Sequence, residues 1–284
     1  MRMPLFSYEA EAKGELKIIG EEELTLRTCS DSTFELLDKA DEKVDELEDK
    51  ASLPRGACIL GIISVAVGII GLAVIDTWTD DVGVAEVYSK VPWLFYLTVA
   101  GFLGFGLMAV AAIIKNKRVM KTEEAELTMN YANAAINNAY RELKVPEAAE
   151  EIDCFQFQFL IRNDKVKIKN NSIDCAENQT KRVFFEDGNL CLADAYNVYG
   201  IPLSSIVGIR KVKKRLHFDE WNREVKYNKS EYKPYKIWED KNSLSFKNYY
   251  IMDINHPTGE YELYIAPYDI EKIVRLTGIN PTEE

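Results

Sequence analysis

Two long apolar runs stand out from an otherwise mixed chain. Residues 57–75 read ACILGIISVAVGIIGLAVI, with no charge and a single hydroxyl, and residues 91–114 read VPWLFYLTVAGFLGFGLMAVAAII, again without charge. Roughly 20 apolar residues carry an α-helix across a hydrocarbon core of ~30 Å. A core helix of a soluble domain keeps a polar stripe on its outer face, and neither run has one. The pattern therefore predicts two transmembrane helices joined as a hairpin. The first run lies well inside the chain and follows an acidic stretch, unlike a signal peptide, so both helices are expected to be retained.

Small residues recur within the runs at helical spacing. Gly61, Ser64, Gly68 and Gly71 are separated by 3, 4 and 3 residues, and Gly101, Gly104, Met108 and Ala111 repeat that spacing. Such stripes let helix backbones approach closely in lipid. Leu37, Ala40, Val44, Leu47 and Ala51 recur in the same way before the first run, and Ala125, Met129, Ala132, Ile136, Ala139 and Leu143 after the second. Both are seams of the coiled-coil type. The second seam stays in phase with the glycines through Lys115, Arg118 and Thr122, which predicts one continuous helix from about residue 91 to about residue 143. Leu53-Pro54 and Gly56 predict a kink or restart near Ser52. Residues 34–145 are thus expected to form a helical arm, two spans and a return arm, with alanine-rich seams that leave room for a second copy of the chain.

Past Pro146 and an acidic linker the period changes to two. Residues 154–162, 165–170, 181–187, 189–196, 204–218, 235–240, 243–254 and 260–266 alternate or are rich in β-formers. Asp187-Gly188-Asn189 and Pro257-Thr258-Gly259 are turn signals between them. The closing stretch sets Ile270, Ile273, Val274 and Leu276 on one helical face, with Gly278 as a stop. The expectation is a domain over residues 154–278 with seven or eight antiparallel strands and a terminal helix. Residues 1–33 are left as an acidic N-terminal segment.

The segments IPLSSIVGIRKV and ELYIAPYDIEKIVRLTGI, within that domain, resemble bacterial PH-like (pleckstrin-homology-like) domains attached to membrane spans. The resemblance implies a mainly-β barrel closed by a helix, a fold rather than an activity. In lipid-binding members of the wider superfamily, basic residues on the first hairpin grip headgroup phosphates. Here Lys165, Lys167 and Lys169 alternate along one strand with Arg162 before them, while the usual arginine partner of that motif is absent.

Charge refines this picture. The net charge of -11 argues against nucleic acid as a partner, since affinity for a polyanion rests on Lys and Arg contacts to phosphate. The acidity is local: residues 1–55 hold 15 acidic against 8 basic side chains, whereas residues 154–284 hold 19 against 20. Lys39, Lys43, Lys50 and Arg55 precede the first span, and Lys115, Lys117, Arg118 and Lys121 follow the second, while the loop between the spans has only Lys90. Basic residues are retained on the cytoplasmic side, so both termini are expected there, in a multi-pass protein of the cell membrane. The run of four cations from Lys115 to Lys121 is also a candidate contact for anionic lipid. Trp78, Trp93 and Tyr96 fall where interfacial aromatics are expected.

Candidate chemistry is sparse. The five cysteines, Cys29, Cys58, Cys154, Cys175 and Cys191, form no CxxC pair and are odd in number, unlike a zinc site or a disulfide framework. Glycosylation triplets at Asn170, Asn178 and Asn228 matter only outside the cytoplasm. His217 and His256 lack metal-ligand spacing, carboxylate pairs such as Asp219/Glu220 nominate nothing, and there is no phosphate-binding glycine loop, nucleophile elbow or HExxH. No catalytic residue, cofactor or metal is therefore assigned, and the chain is read as a non-enzyme. The expected function is a membrane-anchored cytoplasmic binding or scaffolding module, self-associating or engaging a protein partner through the β-domain. An oligomeric pore or membrane effector is the alternative, and an accessory subunit of a larger membrane complex the third.

Overall fold

The computed structural model describes residues 1–10, 17–169, 178–218, 235, 237–240 and 243–283. Cys175, Asn170, Asn228 and the Asp219/Glu220 pair lie outside the described residues. The chain divides into two compact units, one of Ser32–Ile136 and one that joins Met1–Asp31 to Asn137–Glu284. A helical unit is thus inserted into a β unit, and the N-terminal segment belongs to the β unit.

In the helical unit α2 (Asp31–Ala51) ends where Pro54 follows, and α3 (Arg55–Val82) restarts after it, as Leu53-Pro54 requires. A short α4 (Val84–Lys90) leads to α5 (Pro92–Val119), which opens with Pro92 in its first turn. The stretch expected as a loop, residues 76–90, is therefore mostly helical, interrupted at Gly83, where φ is +83°. The continuous helix expected from 91 to 143 is broken. α5 stops at Val119, and α6 (Glu123–Glu142) begins anew after a turn at Met120 to Thr122. The cause is an N-cap: Thr122 Oγ1 accepts the Ala125 amide at 3.2 Å, and Glu123, Glu124 and Glu126 occupy the first turn, where negative charge favours a helix start.

α3 and α5 are long and apolar enough to cross a membrane, and only 17% and 11% of their apolar windows are buried. Large side chains such as Ile62, Ile70, Leu103 and Leu107 stand fully outward. Leu37, Ala40, Leu47 and Ala51 of α2 are buried as the seam predicts, and α6 follows its own predicted seam at Ala125, Ala132 and Ala139 but not at Met129 and Ile136. Its buried positions are Ala125, Ala132, Ala135 and Ala139, with Thr128 half-buried and Leu143 buried just past its end, while Met129 and Ile136 remain 46% and 37% exposed. At the two departures the preceding small residues, Thr128 and Ala135, take the inner positions instead of Met129 and Ile136. Lys50 pairs with Glu124 and Lys43 stands 4.0 Å over the Tyr131 ring, joining α2 to α6.

In the β unit the N-terminal segment supplies β1 (Met3–Pro4), β2 (Tyr8–Glu9), α1 (Glu21–Leu24) and β3 (Thr25–Thr28). The C-terminal part supplies β4 (Glu150–Phe155), β5 (Gln158–Arg162), β6 (Lys165–Lys169), β7 (Asn178–Glu186), β8 (Asn189–Ala193), β9 (Asn197–Pro202), β10 (Ile206–Val212) and β11 (Leu216–Phe218). It continues with β12 (Ile237–Asp240), β13 (Ser243–Phe246), β14 (Tyr249–His256), β15 (Gly259–Ile265), helix α7 (Ile270–Thr277) and β16 (Thr282–Glu283). The main sheet runs β16-β10-β14-β15-β4-β7-β8-β9-β3, with β1 beside β15. Its described ends, β16 and β3, are not paired with each other. The closed barrel of the PH-like expectation is therefore not formed, and β11-β13-β12 and β2-β5-β6 form separate three-stranded sheets.

The turns explain the hairpins. Asp187 (φ 48°) with Gly188 (φ 81°), and Asn163 (φ 52°) with Asp164 (φ 54°), make two-residue connections whose left-handed backbone matches strand twist. Ile152, Leu190, Leu192, Ile201, Met252, Leu263, Ile270 and Ile273 make one core, to which Leu5, Phe6 and Leu24 of the N-terminal segment contribute. Phe155, Phe157, Phe218, Phe246 and Tyr264 make a second, aromatic one. α7 buries Ile270 and Ile273 and ends at Gly278, whose φ of 71° suits a residue without Cβ.

Candidate functional site

The small-residue stripes of α3 and α5 meet each other. A Cβ added at Gly101 would lie 2.7 Å from the Gly68 amide nitrogen and 2.7 Å from the Ser64 carbonyl oxygen. At Gly71 it would lie 2.0 Å from Thr98 Oγ1, at Gly68 3.0 Å from the Phe102 ring, and at Gly104 3.0 Å from Ser64 Oγ. Gly61 sits opposite Met108 with ordinary contact, 3.7 Å from Met108 Cβ. The stripes are therefore spent inside the hairpin. Ala111 is exposed, and the half-buried face of α5 passes instead from Met108 to Ala112, Lys115 and Val119, because 3.6 residues per turn drifts out of a strict 3,4 repeat. Thr98, buried opposite Gly71 and hydrogen-bonded to the Leu94 carbonyl at 2.8 Å, is a seam residue that a search for small side chains passes over.

The two ends of the hairpin differ chemically. At one end Trp78, Tyr88, Trp93 and Tyr96 are exposed, and the Tyr88 and Tyr96 hydroxyls lie 2.9 Å apart. At the other end Arg55 opens α3 while Lys115, Lys117 and Arg118 close α5, and Lys121 follows. Lys115 Nζ donates to the Ser52 carbonyl, across the break between α2 and α3. Arg55, Lys117, Arg118 and Lys121 are exposed. A large outward apolar belt thus lies between an aromatic end and a basic end.

The β unit holds polar groups that no sequence pattern announced. Lys181 has no exposed surface. Its Nζ meets Asp194 Oδ2 at 2.8 Å and lies 4.4 Å and 4.8 Å from the ring centres of Phe6 and Tyr199. Burial alone would raise the Asp194 carboxyl. Lys181, with the Tyr196 and Asn197 amides donating at 2.9 Å and 2.8 Å, outweighs burial and holds it below the usual carboxylate range. Asp153, fully buried, accepts the Tyr268 hydroxyl at 2.5 Å and the Thr180 hydroxyl at 3.2 Å. Its amide donates to Asp269 Oδ2 at 2.8 Å, which ties β4 to the start of α7, and burial pushes the Asp269 carboxyl up. His217 Nδ1 lies 2.6 Å from Ser245 Oγ, which also receives Arg215 at 3.2 Å. These residues are cross-strand neighbours on β11 and β13, a proximity only the pairing His217↔Ser245 creates. His256 meets Thr258 in the β14–β15 turn.

Lys165 and Lys167 on β6 are exposed, as is Arg162 on β5, across the register pair Arg162↔Lys165. Lys211 and Lys213 both reach Glu283 of β16, at 3.4 Å and 2.9 Å. These two lysines are thus neutralised by the last strand. The comparisons with protein-family models, with curated proteins and with solved structures each found no match to the chain.

Proposed function

We propose that this protein is a non-enzymatic, two-span membrane protein whose helical hairpin anchors a cytoplasmic β unit that serves as a binding or scaffolding module. The observation that carries the reading is strand pairing across the insertion. Thr25, Arg27 and Thr28 pair with β9, Met3 and Pro4 with β15, and Tyr8 and Glu9 with β5. Segments on either side of the hairpin are hydrogen-bonded into one unit, so both must lie on one side of any bilayer. An even number of crossings satisfies this, and α3 and α5 supply two.

The outward apolar belt supports the same reading. Burying large side chains such as Ile62, Ile70, Leu103 and Leu107 in lipid removes the ~25 cal/mol per Å² cost of leaving them in water. The basic end favours the cytoplasmic face. The β unit keeps the PH-like order of strands followed by a helix without closing into a barrel, and a protein partner is its proposed ligand. Self-association, where it occurs, uses the outward apolar faces, since the small-residue stripes already face each other.

The test is topology. Membranes washed with alkaline carbonate should retain the protein. In intact cells an impermeant maleimide should label Ser89→Cys in α4 but not Ser52→Cys. Extraction by carbonate, or labelling at position 52 from outside, would sink the proposal.

A further inference from the structure

We infer that the basic end of the helical hairpin is a binding site for the phosphodiester of anionic phospholipid headgroups, formed by Arg55, Lys117, Arg118 and Lys121, with Lys115 holding it together. The inference rests on the two-span reading above and adds a lipid class to it. Cations elsewhere in the helical unit are engaged within the protein: Lys39 with Glu35, Lys50 with Glu124, Lys90 with Glu86, and Lys43 over Tyr131. Arg55, Lys117, Arg118 and Lys121 are exposed and, among the described residues, form no ion pair.

Helix electrostatics explains only part of this set. Lys117 and Arg118 sit in the last turn of α5, where the negative end of the helix dipole favours a cation. Arg55 is the first residue of α3, at the positive end of that helix, where a cation is disfavoured. Its placement beside three more unpaired cations calls for an external anion. The depth is right for one. Ile59 and Leu60 on α3 and Ile113 and Ile114 on α5 are exposed apolar residues at the rim of the belt. At 1.5 Å per residue, Arg55 lies about 6 Å beyond Ile59, at headgroup level. The bond from Lys115 to the Ser52 carbonyl fixes the end of α5 against the start of α3, so the cations stay clustered. The acidic α2 would be repelled by an anionic membrane surface, and this collar of cations stands between the two.

The experiment uses the full chain reconstituted in phosphatidylcholine vesicles containing a minority of phosphatidylglycerol, with spin-labelled versions of each lipid compared in turn. The wild-type protein should prefer phosphatidylglycerol by a factor on the order of five at low salt, for roughly one well-placed cation per headgroup. The preference should fall as salt is raised. The fourfold variant Arg55→Gln, Lys117→Gln, Arg118→Gln, Lys121→Gln should bring the ratio close to one. A control, Lys39→Gln with Lys50→Gln, removes cations already paired and should leave it unchanged. Equal association of both lipids with the inserted wild type, a preference insensitive to salt, or a preference that survives the fourfold variant would each overturn the inference. Should the fourfold variant not insert, the wild-type salt dependence still decides. A wild-type protein that does not remain with the vesicles after alkaline wash refutes the membrane reading itself, whereas an inserted protein without lipid preference refutes only the headgroup site.

Discussion

Placing a methyl group at position 101 should separate the two long helices, whereas the same change five residues on should not. In Gly101→Ala the new Cβ meets backbone, 2.7 Å from the Gly68 nitrogen, 2.7 Å from the Ser64 oxygen and 3.0 Å from the Gly68 Cα. Ordinary contact begins near 3.4 Å, so the axes must part by somewhat under about 1 Å, and no rotamer can relieve a clash with main chain. A gap of that size forfeits about a quarter to a half of each dispersion contact along the seam. Overpacking of this kind costs ~1–3 kcal/mol, against which Ala gains up to ~1 kcal/mol of helix propensity over Gly. A net loss of about 1–2 kcal/mol is expected. At Gly106 an added Cβ has nothing within 4 Å, so Gly106→Ala should be neutral or stabilise by up to ~1 kcal/mol. The assay is energy transfer between fluorophores on α3 and α5, followed while the denaturing detergent fraction in mild micelles is raised. The midpoint should fall for Gly101→Ala and hold or rise for Gly106→Ala. Equal shifts for the two would refute the backbone contact between α3 and α5.

Other consequences concern the β unit and the helix break. Asp194→Asn leaves the fully buried Lys181 ammonium without its carboxylate and should cost about 3 kcal/mol or more, while Lys181→Met should cost less, because the Asp194 side chain is 26% exposed and keeps its amide donors. Urea unfolding of the solubilised full chain should show that order, and the double variant should recover part of the loss. The depressed Asp194 carboxyl contributes stability that is present above its unfolded value of about 4 and lost as pH falls through its folded value. Acid destabilisation in that window should be smaller in Asp194→Asn. Burial pushes the Cys154 thiol to about 12 and the Cys191 thiol to about 11. In a Cys175→Ser background a membrane-permeant maleimide at neutral pH should therefore leave those two unmodified until denaturant is added. Thr122→Ala removes the cap of α6 and should cost about 0.5–2 kcal/mol, read as faster amide exchange in its first turn.

Local chemistry and periodicity settled much of this molecule in advance. Two charge-free runs become α3 and α5, Pro54 restarts a helix, Gly278 ends α7, and Asp187-Gly188 turns a hairpin, because each depends on residues adjacent in sequence. The stripes Gly61 to Gly71 and Gly101 to Gly104 were also legible, since a helix maps spacing directly onto a face. The Thr122-Glu123-Glu124 cap that breaks the long helix was equally local, but an unbroken 3,4 register masked it. What no pattern announces is the pairing of distant segments. A two-residue strand such as Met3–Pro4 has no periodicity of its own, and its place beside Tyr261 and Glu262 is set by a partner some 250 residues away. Lys181 reads as one more strand cation until Phe6, Asp194 and Tyr199 converge on it. His217 and Ser245 meet only through strand register. Tertiary structure alone decided that the acidic N-terminal segment joins the C-terminal strands in one β unit, because hydrogen bonds between strands depend on proximity in space and leave no spacing in the chain.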